Sequence, residues 1–135
     1  MLEARTLSVS VDRPWQDLFE AIWRPEIFPC WASGLSQSSL RREGTSWRAE
    51  GPEGAVMIRF TDHNAFGIMD HVVTLASGAD IHVPMRVVPN GNGAEVLLTL
   101  FRQPSMSAEK FAADADWVRR DLQRLKAQFE TKRSR

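Results

Sequence analysis

Residues 111–129 read FAADADWVRRDLQRLKAQF, and the apolar positions in this stretch decide the fold of the chain. Those positions recur at spacings of 4, 3, 4, 3 and 4: Phe111, Ala115, Val118, Leu122, Leu125 and Phe129. Side chains at such spacings fall on one face of an α-helix, and an apolar face must pack against another apolar surface. The stretch therefore predicts a long C-terminal helix that lies on a sheet formed by the preceding strands.

The sequence also predicts the ends and the polar side of this helix. Ser107 is a suitable N-cap, Glu109 complements the positive end of the helix dipole, and we expect the helix to run to about Thr131. Residues 132–135 are predicted to be a frayed basic tail. The residues off the apolar stripe predict a solvated face: Lys110, Asp114, Asp121, Arg124 and Gln128.

Composition limits the class of protein. At 135 residues the chain is predicted to be one domain, residues 1–135, with a single core. Seventeen Lys and Arg residues balance 17 Asp and Glu residues, which argues against a nucleic-acid partner. No apolar run is long enough to span a membrane. The one cysteine, Cys30, is expected to be a buried thiol, and with no apolar run behind a basic N-terminus it favours the cytoplasm.

The first third of the chain predicts one strand and two short helices. Polar and apolar residues alternate over 6–11, as in a half-buried strand. Asp12 is a candidate N-cap for a following helix that buries Trp15 to Trp23 at helical spacing. Pro25 and Pro29 interrupt the chain, and a second brief helix is expected from Glu26 to Gly34.

The middle of the chain predicts six further strands. They are separated by short connections rich in turn residues at 51–54, 64–67, 76–79 and 89–93, so neighbouring strands should pair antiparallel. With the first strand they make an α+β fold with one curved, seven-stranded antiparallel sheet. The expected strands are 35–43, 46–51, 54–63, 67–75, 80–89 and 94–102.

Two local segments carry a resemblance to a known superfamily. Val9-Ser10-Val11-Asp12-Arg13-Pro14, leading into residues 15–22, resembles the strand-to-helix opening of the START-like (SRPBCC, Bet v 1-like or helix-grip) superfamily. Pro25-Glu26 and Pro29-Cys30-Trp31, before Gly34, resemble its second-helix segment. Within the superfamily the sequence is most similar to small bacterial proteins labelled polyketide cyclase or dehydrase.

The resemblance implies a helix-grip domain that binds a hydrophobic small molecule, such as a lipid or polyketide, between the sheet and the long helix. It leaves two alternatives: a cyclase- or dehydratase-like enzyme, and an interaction module, because activators of heat-shock chaperones share this fold. Fold alone does not decide among these functions. A binding protein is our first hypothesis, since only one ionisable side chain is expected on the inner surface.

That side chain is His71. A tight connection between strands 54–63 and 67–75 places Phe60 opposite His71 and Ile58 opposite Val73. The more apolar face, with Val56 and Met69, should point inward. On the outer face Arg59 and Asp70 are expected to form an ion pair. An inward imidazole can exchange a proton near neutral pH, although a hydrogen-bonded core histidine is the more frequent case.

The sequence leaves two alternatives for which side chains of strand 80–89 point inward. If the apolar set points inward, Met85 lines the pocket or fills the core with a flexible thioether. In the reversed register His82 and Arg86 point inward, and Arg86 pairs with a ligand carboxylate.

Tryptophans complete the expected site. Trp31 and Trp47 lie where family members form the cavity mouth, and each offers an apolar wall with one N–H donor. Trp15, Trp23 and Trp117 are interpreted as packing residues. The predicted ligand-binding residues are Trp31, Trp47, Ile58, Phe60, Met69, His71, Met85, Phe111 and Val118.

No metal site and no cofactor are expected, because His63, His71 and His82 lack further ligands at suitable spacing. Met57 and Val72 on the outer face of the sheet offer an apolar surface for a weak homodimer.

Overall fold

A computed structural model describes residues 1–33, 40–51 and 54–130 of the chain. Strands and helices follow one another in the predicted order, and a long C-terminal helix packs on antiparallel sheets, so the α+β class is confirmed. The elements are β1 (Ala4–Val11), α1 (Trp15–Ile22), a 3-10 turn (Pro25–Ile27), α2 (Phe28–Trp31), β2 (Arg41–Glu43), β3 (Ser46–Gly51), β4 (Gly54–Phe60), β5 (His71–Thr74), β6 (Asp80–Val83), β7 (Met85–Asn90), β8 (Gly93–Phe101) and α3 (Ala108–Phe129).

The prediction of one seven-stranded sheet is wrong. The strands form a three-stranded sheet in the order β1-β8-β7 and a five-stranded sheet in the order β2-β3-β4-β5-β6. Pro84 is the physical reason, because proline has no N–H to donate and splits the predicted strand 80–89 into β6 and β7. Each half then joins a different sheet.

Backbone hydrogen bonds still connect the two sheets beside Pro84. The Met69 N–H donates to the Met85 carbonyl at 2.8 Å, and the Thr99 N–H donates to the Pro84 carbonyl at 2.9 Å. We call this junction, residues 67–70 with 84–87, the seam. The seam allows the β layer to change direction while these backbone groups remain paired.

Asp70 stabilises the seam from its side chain. Its carboxylate accepts the Met85 N–H at 2.8 Å and binds the Arg86 guanidinium through two contacts of 2.9 and 2.8 Å. The expected Arg59–Asp70 ion pair is therefore wrong, since Asp70 is paired with Arg86 instead.

The predicted pairing of β4 with β5 is confirmed residue for residue. Phe60 lies opposite His71, and Ile58 lies opposite Val73. The connection is longer than the predicted turn and covers residues 61–70. The Asn64 side chain orders this loop, because its amide donates to the Ile68 carbonyl at 2.9 Å and its oxygen accepts the Phe66 N–H at 2.9 Å.

Gly67 brings the loop against the seam. Its φ is +72°, and a Cβ placed there would lie 2.1 Å from the Val87 carbonyl oxygen. The Val87 N–H in turn donates to the Gly67 carbonyl at 2.9 Å. Only glycine fits both the conformation and the contact.

The C-terminal helix forms as its sequence predicts. The Ser107 hydroxyl accepts the Lys110 N–H at 3.0 Å and caps the first turn. The stripe faces inward, with Phe111, Ala115, Leu122 and Leu125 buried, and the helix packs chiefly on β1 and α2. The main core cluster joins α1, α2 and α3 to the three-stranded sheet, and its largest buried side chains include Leu18, Ile22, Met85, Leu122, Leu125 and Val96.

Three expectations about the first helices need correction or fall outside the described residues. Asp12 does not cap α1, because Pro14 occupies the N-cap position without a side-chain bond. The second helix is shorter than predicted, because only Phe28–Trp31 is α-helical and the backbone becomes extended at Ala32. Gly34 and the first part of the predicted strand 35–43 lie outside the described residues, whereas β2 matches its end.

Among the described residues, no helix is both long and apolar enough to cross a membrane.

Candidate functional site

An aromatic cluster joins α2 to the five-stranded sheet. The Phe28 ring lies between Trp31, at 5.2 Å between ring centroids, and two sheet residues, Phe60 at 4.6 Å and His71 at 5.3 Å. Phe60 and His71 meet the Phe28 ring edge to face, an arrangement that is favourable for aromatic pairs. We call these four residues the aromatic cluster. It places the predicted site residues Trp31, Phe60 and His71 together.

His71 sits on the inner face of β5 with a defined tautomer. Its Nδ1 lies 3.1 Å from the Met69 carbonyl oxygen, and a carbonyl can only accept, so Nδ1 carries the proton. Burial lowers the pKa of the imidazole below its usual range, although the Met69 bond and the Asp70 charge act in the opposite direction. His71 is therefore neutral at pH 7 and keeps a lone pair on Nε2.

His71 is also reached by a cleft of about 280 Å³ beside the seam. Its side chain is only partly buried, so a small molecule in the cleft could approach the imidazole. The cleft is bounded by β4, β5 and β6 and is lined by Arg59, Phe60, Thr61, Asp70, His71, Val72, His82, Val83 and Pro84.

Trp31 is the buried member of the aromatic cluster. It is 3% exposed, and its Nε1 is buried with no hydrogen-bond partner in the described part of the chain. Two residues later Ser33 is fully engaged with α3: its N–H and its hydroxyl both donate to Asp121 Oδ1, at 3.2 and 2.7 Å. The indole N–H of Trp117 donates to the same hydroxyl.

These contacts correct three expectations about α2 and α3. Asp121 was expected on the solvated face but is 7% exposed, and burial raises the pKa of its carboxyl above the usual range. Cys30 was expected to be buried but is exposed, because Phe28 and Trp31 occupy the inner side of the single turn of α2. Trp117, interpreted as a packing residue, is 42% exposed. Gln128 adds a further tie by donating to the Cys30 carbonyl at 2.7 Å.

The other predicted ligand-binding residues separate into two groups. Met69 and Met85 are buried in the main core cluster, and Val118 packs against it, so Met85 fills the core. The reversed register of 80–89 is wrong, since Met85 is 0% exposed whereas His82 and Arg86 are exposed. Ile58 and Phe111 are buried but lie outside that cluster.

Trp47 lines a different cleft. This cleft has a volume of about 450 Å³ and opens between α1, the 3-10 turn and β3. Its lining combines indole, guanidinium and carboxylate groups: Trp23, Arg24, Pro25, Glu26, Arg42, Thr45, Trp47, Phe60, Thr61, Asp62 and His63. Trp47 therefore shares this cleft with Phe60 of the aromatic cluster, whereas Trp31 does not line it.

A second imidazole was missed by sequence reasoning. His63 Nε2 lies 2.6 Å from Glu20 Oε2, and its ring packs against Trp23 at 4.6 Å and Phe19 at 5.8 Å. The pair lies between the 450 Å³ cleft and another of about 480 Å³ beside Trp15. Because 43 residues separate Glu20 from His63, no spacing signal could have revealed the pair. Within the described ranges, no three His, Cys, Asp or Glu residues group as metal ligands.

Several solved structures share this architecture. The chain superposes on Ara h 8.0201 with a TM-score of 0.70 at 10% identity, over 96% of this chain and 98% of that one. The chain therefore has a Bet v 1-like, helix-grip fold. Neither a protein-family model nor a curated protein sequence matches it.

Two further helix-grip neighbours differ in their biology. The dimer of Aha1 from Colwellia psychrerythraea gives a TM-score of 0.72 at 10% identity, over 98% of this chain and 100% of that one. DynU16, a protein in the dynemicin biosynthetic locus, gives 0.68 at 18% identity, over 95% of this chain and 47% of that one. At such identities the likeness shows the fold alone.

Proposed function

We propose that this chain is a cytoplasmic protein that binds a hydrophobic or amphipathic small molecule between the five-stranded sheet and α3. The observation that carries the proposal is the inner face of the five-stranded sheet. Ala49 and Ile58 on this face are buried yet lie outside the main core cluster, and their neighbours Val56 and Val73 are only partly buried. An apolar sheet face that the main core does not use is suited to an apolar ligand.

The α3 side of the proposed cavity, opposite the sheet, fits the same proposal. Phe111 in the first turn of α3 is buried outside the main core cluster, as the two sheet residues are. Burial of apolar ligand surface contributes roughly 25 cal/mol per Å², and a few polar groups orient the ligand. A polyketide-like molecule belongs to this class, and the shared fold of DynU16 supports that choice.

Adjacent residues on opposite faces of β5 provide the test. Val73 faces inward opposite Ile58, whereas Val72 lies opposite Arg59 on the outer face. We expect Val73→Trp to weaken binding of the amphipathic probe 1-anilinonaphthalene-8-sulfonate by about tenfold or more, because the indole fills the space, an effect of about 1.4 kcal/mol. Thr74→Trp, at a position opposite Met57 on the outer face, should leave the affinity unchanged.

Fluorescence titration measures both affinities, and circular dichroism verifies that each variant is folded. Equal affinity of the wild type and a folded Val73→Trp variant would contradict the proposed location. Native mass spectrometry of freshly purified protein should in addition show a co-purified apolar ligand.

A second candidate function is cyclase- or dehydratase-like catalysis with His71 as the acid–base group. The observation that favours it is the neutral imidazole with its lone pair on Nε2. In a β-hydroxy ketone, Nε2 would remove the proton next to the carbonyl and return it to the leaving hydroxyl, which gives an enone and water.

The dehydration of 4-hydroxy-4-phenylbutan-2-one, followed by ultraviolet absorbance of the enone, tests this function. We expect His71→Gln to lower the rate by roughly 10²-fold or more while probe binding persists. An unchanged rate would remove His71 from the mechanism.

The outer face of the five-stranded sheet is proposed as the surface of a weak homodimer. Met57 and Val72 are partly buried there, on the opposite side from the proposed cavity. The dimeric Aha1 neighbour shows that a helix-grip protein can self-associate.

A further inference from the structure

The Trp31 indole holds a buried donor for which the described residues supply no acceptor. Its residue is 3% exposed, and Nε1 is the buried side-chain polar atom left without a partner. The nearest ring, Phe28, is tilted by 46° at 5.2 Å, a geometry that gives at most a weak N–H to π contact. Buried donors are nearly always hydrogen-bonded, so this exception calls for an acceptor that the described residues do not supply.

The short helix α2, which carries this donor, contacts both the five-stranded sheet and α3. On one side of α2, Phe28 contacts Phe60 of β4 and His71 of β5. On the other side, Ser33 and the Cys30 carbonyl bind Asp121 and Gln128 of α3. Trp31 therefore lies where α2 spans the distance between the sheet and α3.

The neighbouring polar groups are already engaged with one another. Ser33 donates to Asp121 and accepts from Trp117, so its hydroxyl has both a donor and an acceptor partner. Trp31 keeps its N–H unbonded although this network begins two residues away. Packing alone does not require this N–H group. A phenylalanine at position 31 would bury a similar apolar surface without leaving a polar group unpaired.

We propose that the ligand of the cavity carries an oxygen acceptor, such as a ketone, ester or ether oxygen, which receives the Trp31 Nε1–H bond. This inference rests on the proposed function and names the chemistry of its ligand. The rest of the ligand is apolar, as the Phe28 ring beside Trp31 requires. Within a site from which water is excluded, one such bond discriminates strongly between ligands with and without the oxygen.

A matched pair of probes tests the bond. 2-Acetylnaphthalene carries a carbonyl oxygen, and 2-isopropenylnaphthalene replaces that oxygen by an isosteric CH₂ group. We expect the wild type to bind the ketone about tenfold more tightly than the alkene, as measured by displacement of 1-anilinonaphthalene-8-sulfonate. Trp31→Phe removes the donor and keeps an aromatic ring, so it should abolish the preference and leave the affinity for the alkene nearly unchanged.

The outcomes separate this inference from the proposed function. If the wild type binds both probes equally, or if Trp31→Phe keeps the tenfold preference, the inferred bond is wrong although the cavity remains. If the wild type binds neither probe, the proposed function is contradicted, and the inference with it.

A second measurement needs no folded variant. In ¹⁵N-labelled wild-type protein the five tryptophans give five indole N–H signals. The ketone should move one buried indole signal downfield, and the alkene should not. Identical shifts with both probes would overturn the inference, even if Trp31→Phe fails to fold.

Discussion

At the scale of single residues, Asp121 shows how a carboxylate is accommodated beside an apolar stripe. It is the buried charged residue of the described chain, and it accepts both the N–H and the hydroxyl of Ser33. Burial raises the pKa of its carboxyl, while the Ser33 bonds and the charges of Arg124 and Arg120 lower it less. Relative to the unfolded chain, folding therefore favours protonation of this carboxyl.

The pH dependence of stability follows from this direction. A carboxyl whose folded pKa lies above its unfolded value stabilises the fold at low pH and loses that contribution as the pH rises from 3.8 through the folded value. Asp121→Asn keeps an oxygen acceptor for Ser33 without the charge. We expect its stability relative to wild type to increase as the pH rises from 3 to 7, as measured by urea unfolding at several pH values.

Asp121→Ala is the complementary variant. It removes the acceptor and leaves the Ser33 N–H and hydroxyl without this partner, which should cost about 1 to 3 kcal/mol at pH 7. If Asp121→Asn proved as destabilising as Asp121→Ala, with no pH trend, the carboxylate charge would be essential and the argument from burial would fail.

At the scale of elements, the seam depends on the close approach of two backbones. A Cβ at Gly67 would lie 2.1 Å from the Val87 carbonyl oxygen, whereas Gly44, whose φ of +63° is similar, has nothing within 4 Å of the same position. We expect Gly44→Ala to cost about 1 kcal/mol from its backbone conformation alone. Gly67→Ala should cost more than about 3 kcal/mol, because the loop must also leave the seam.

Thermal unfolding of the two variants measures this difference, and the pair is matched because both substitutions add one methyl at a positive φ. Similar melting temperatures would mean that the seam can open without loss of stability.

The elements also show which parts of the fold were predictable. The stripe of α3, the Ser107 cap and the pairing of Phe60 with His71 follow from spacing and local chemistry, and all are confirmed. The division into two sheets was missed because residues 80–89 alternate across Pro84 without a change of pattern. A proline allows either an edge position or a break, and the choice depends on strands distant in sequence.

The candidate site was less predictable than the fold. The inward position of His71 follows from period-two alternation, and its pairing followed from the connection to β4. Its contact with Phe28, the burial of Asp121 and the Glu20–His63 pair depend on how α1, α2 and α3 meet the sheets. Such tertiary contacts leave no trace in local spacing.

At the scale of the whole molecule, the proposed homodimer makes a prediction that is independent of the cavity. In the wild type we expect the sedimentation coefficient to rise with protein concentration. Met57→Lys places a charge on the outer face of β4 and should hold the protein monomeric, because burying an unpaired ammonium in an interface is costly.

Ala65→Lys, in the exposed loop after β4, adds the same charge elsewhere and is the control. Concentration-independent sedimentation of the wild type would exclude the dimer, and equal association of the wild type and Met57→Lys would place its interface elsewhere.

The pairing of β1 with β8 has a consequence for how the chain folds during synthesis. Ala4 is paired with Phe101, and the Arg13 guanidinium donates to the Phe129 carbonyl at 2.9 Å. The hairpins of the five-stranded sheet can close soon after they leave the ribosome, but β1 must wait until β8 has emerged. Until then Leu7, Val9 and Val11 remain exposed to other nascent chains. We expect truncated chains that end before residue 93 to bind chaperones, and completed chains to be released.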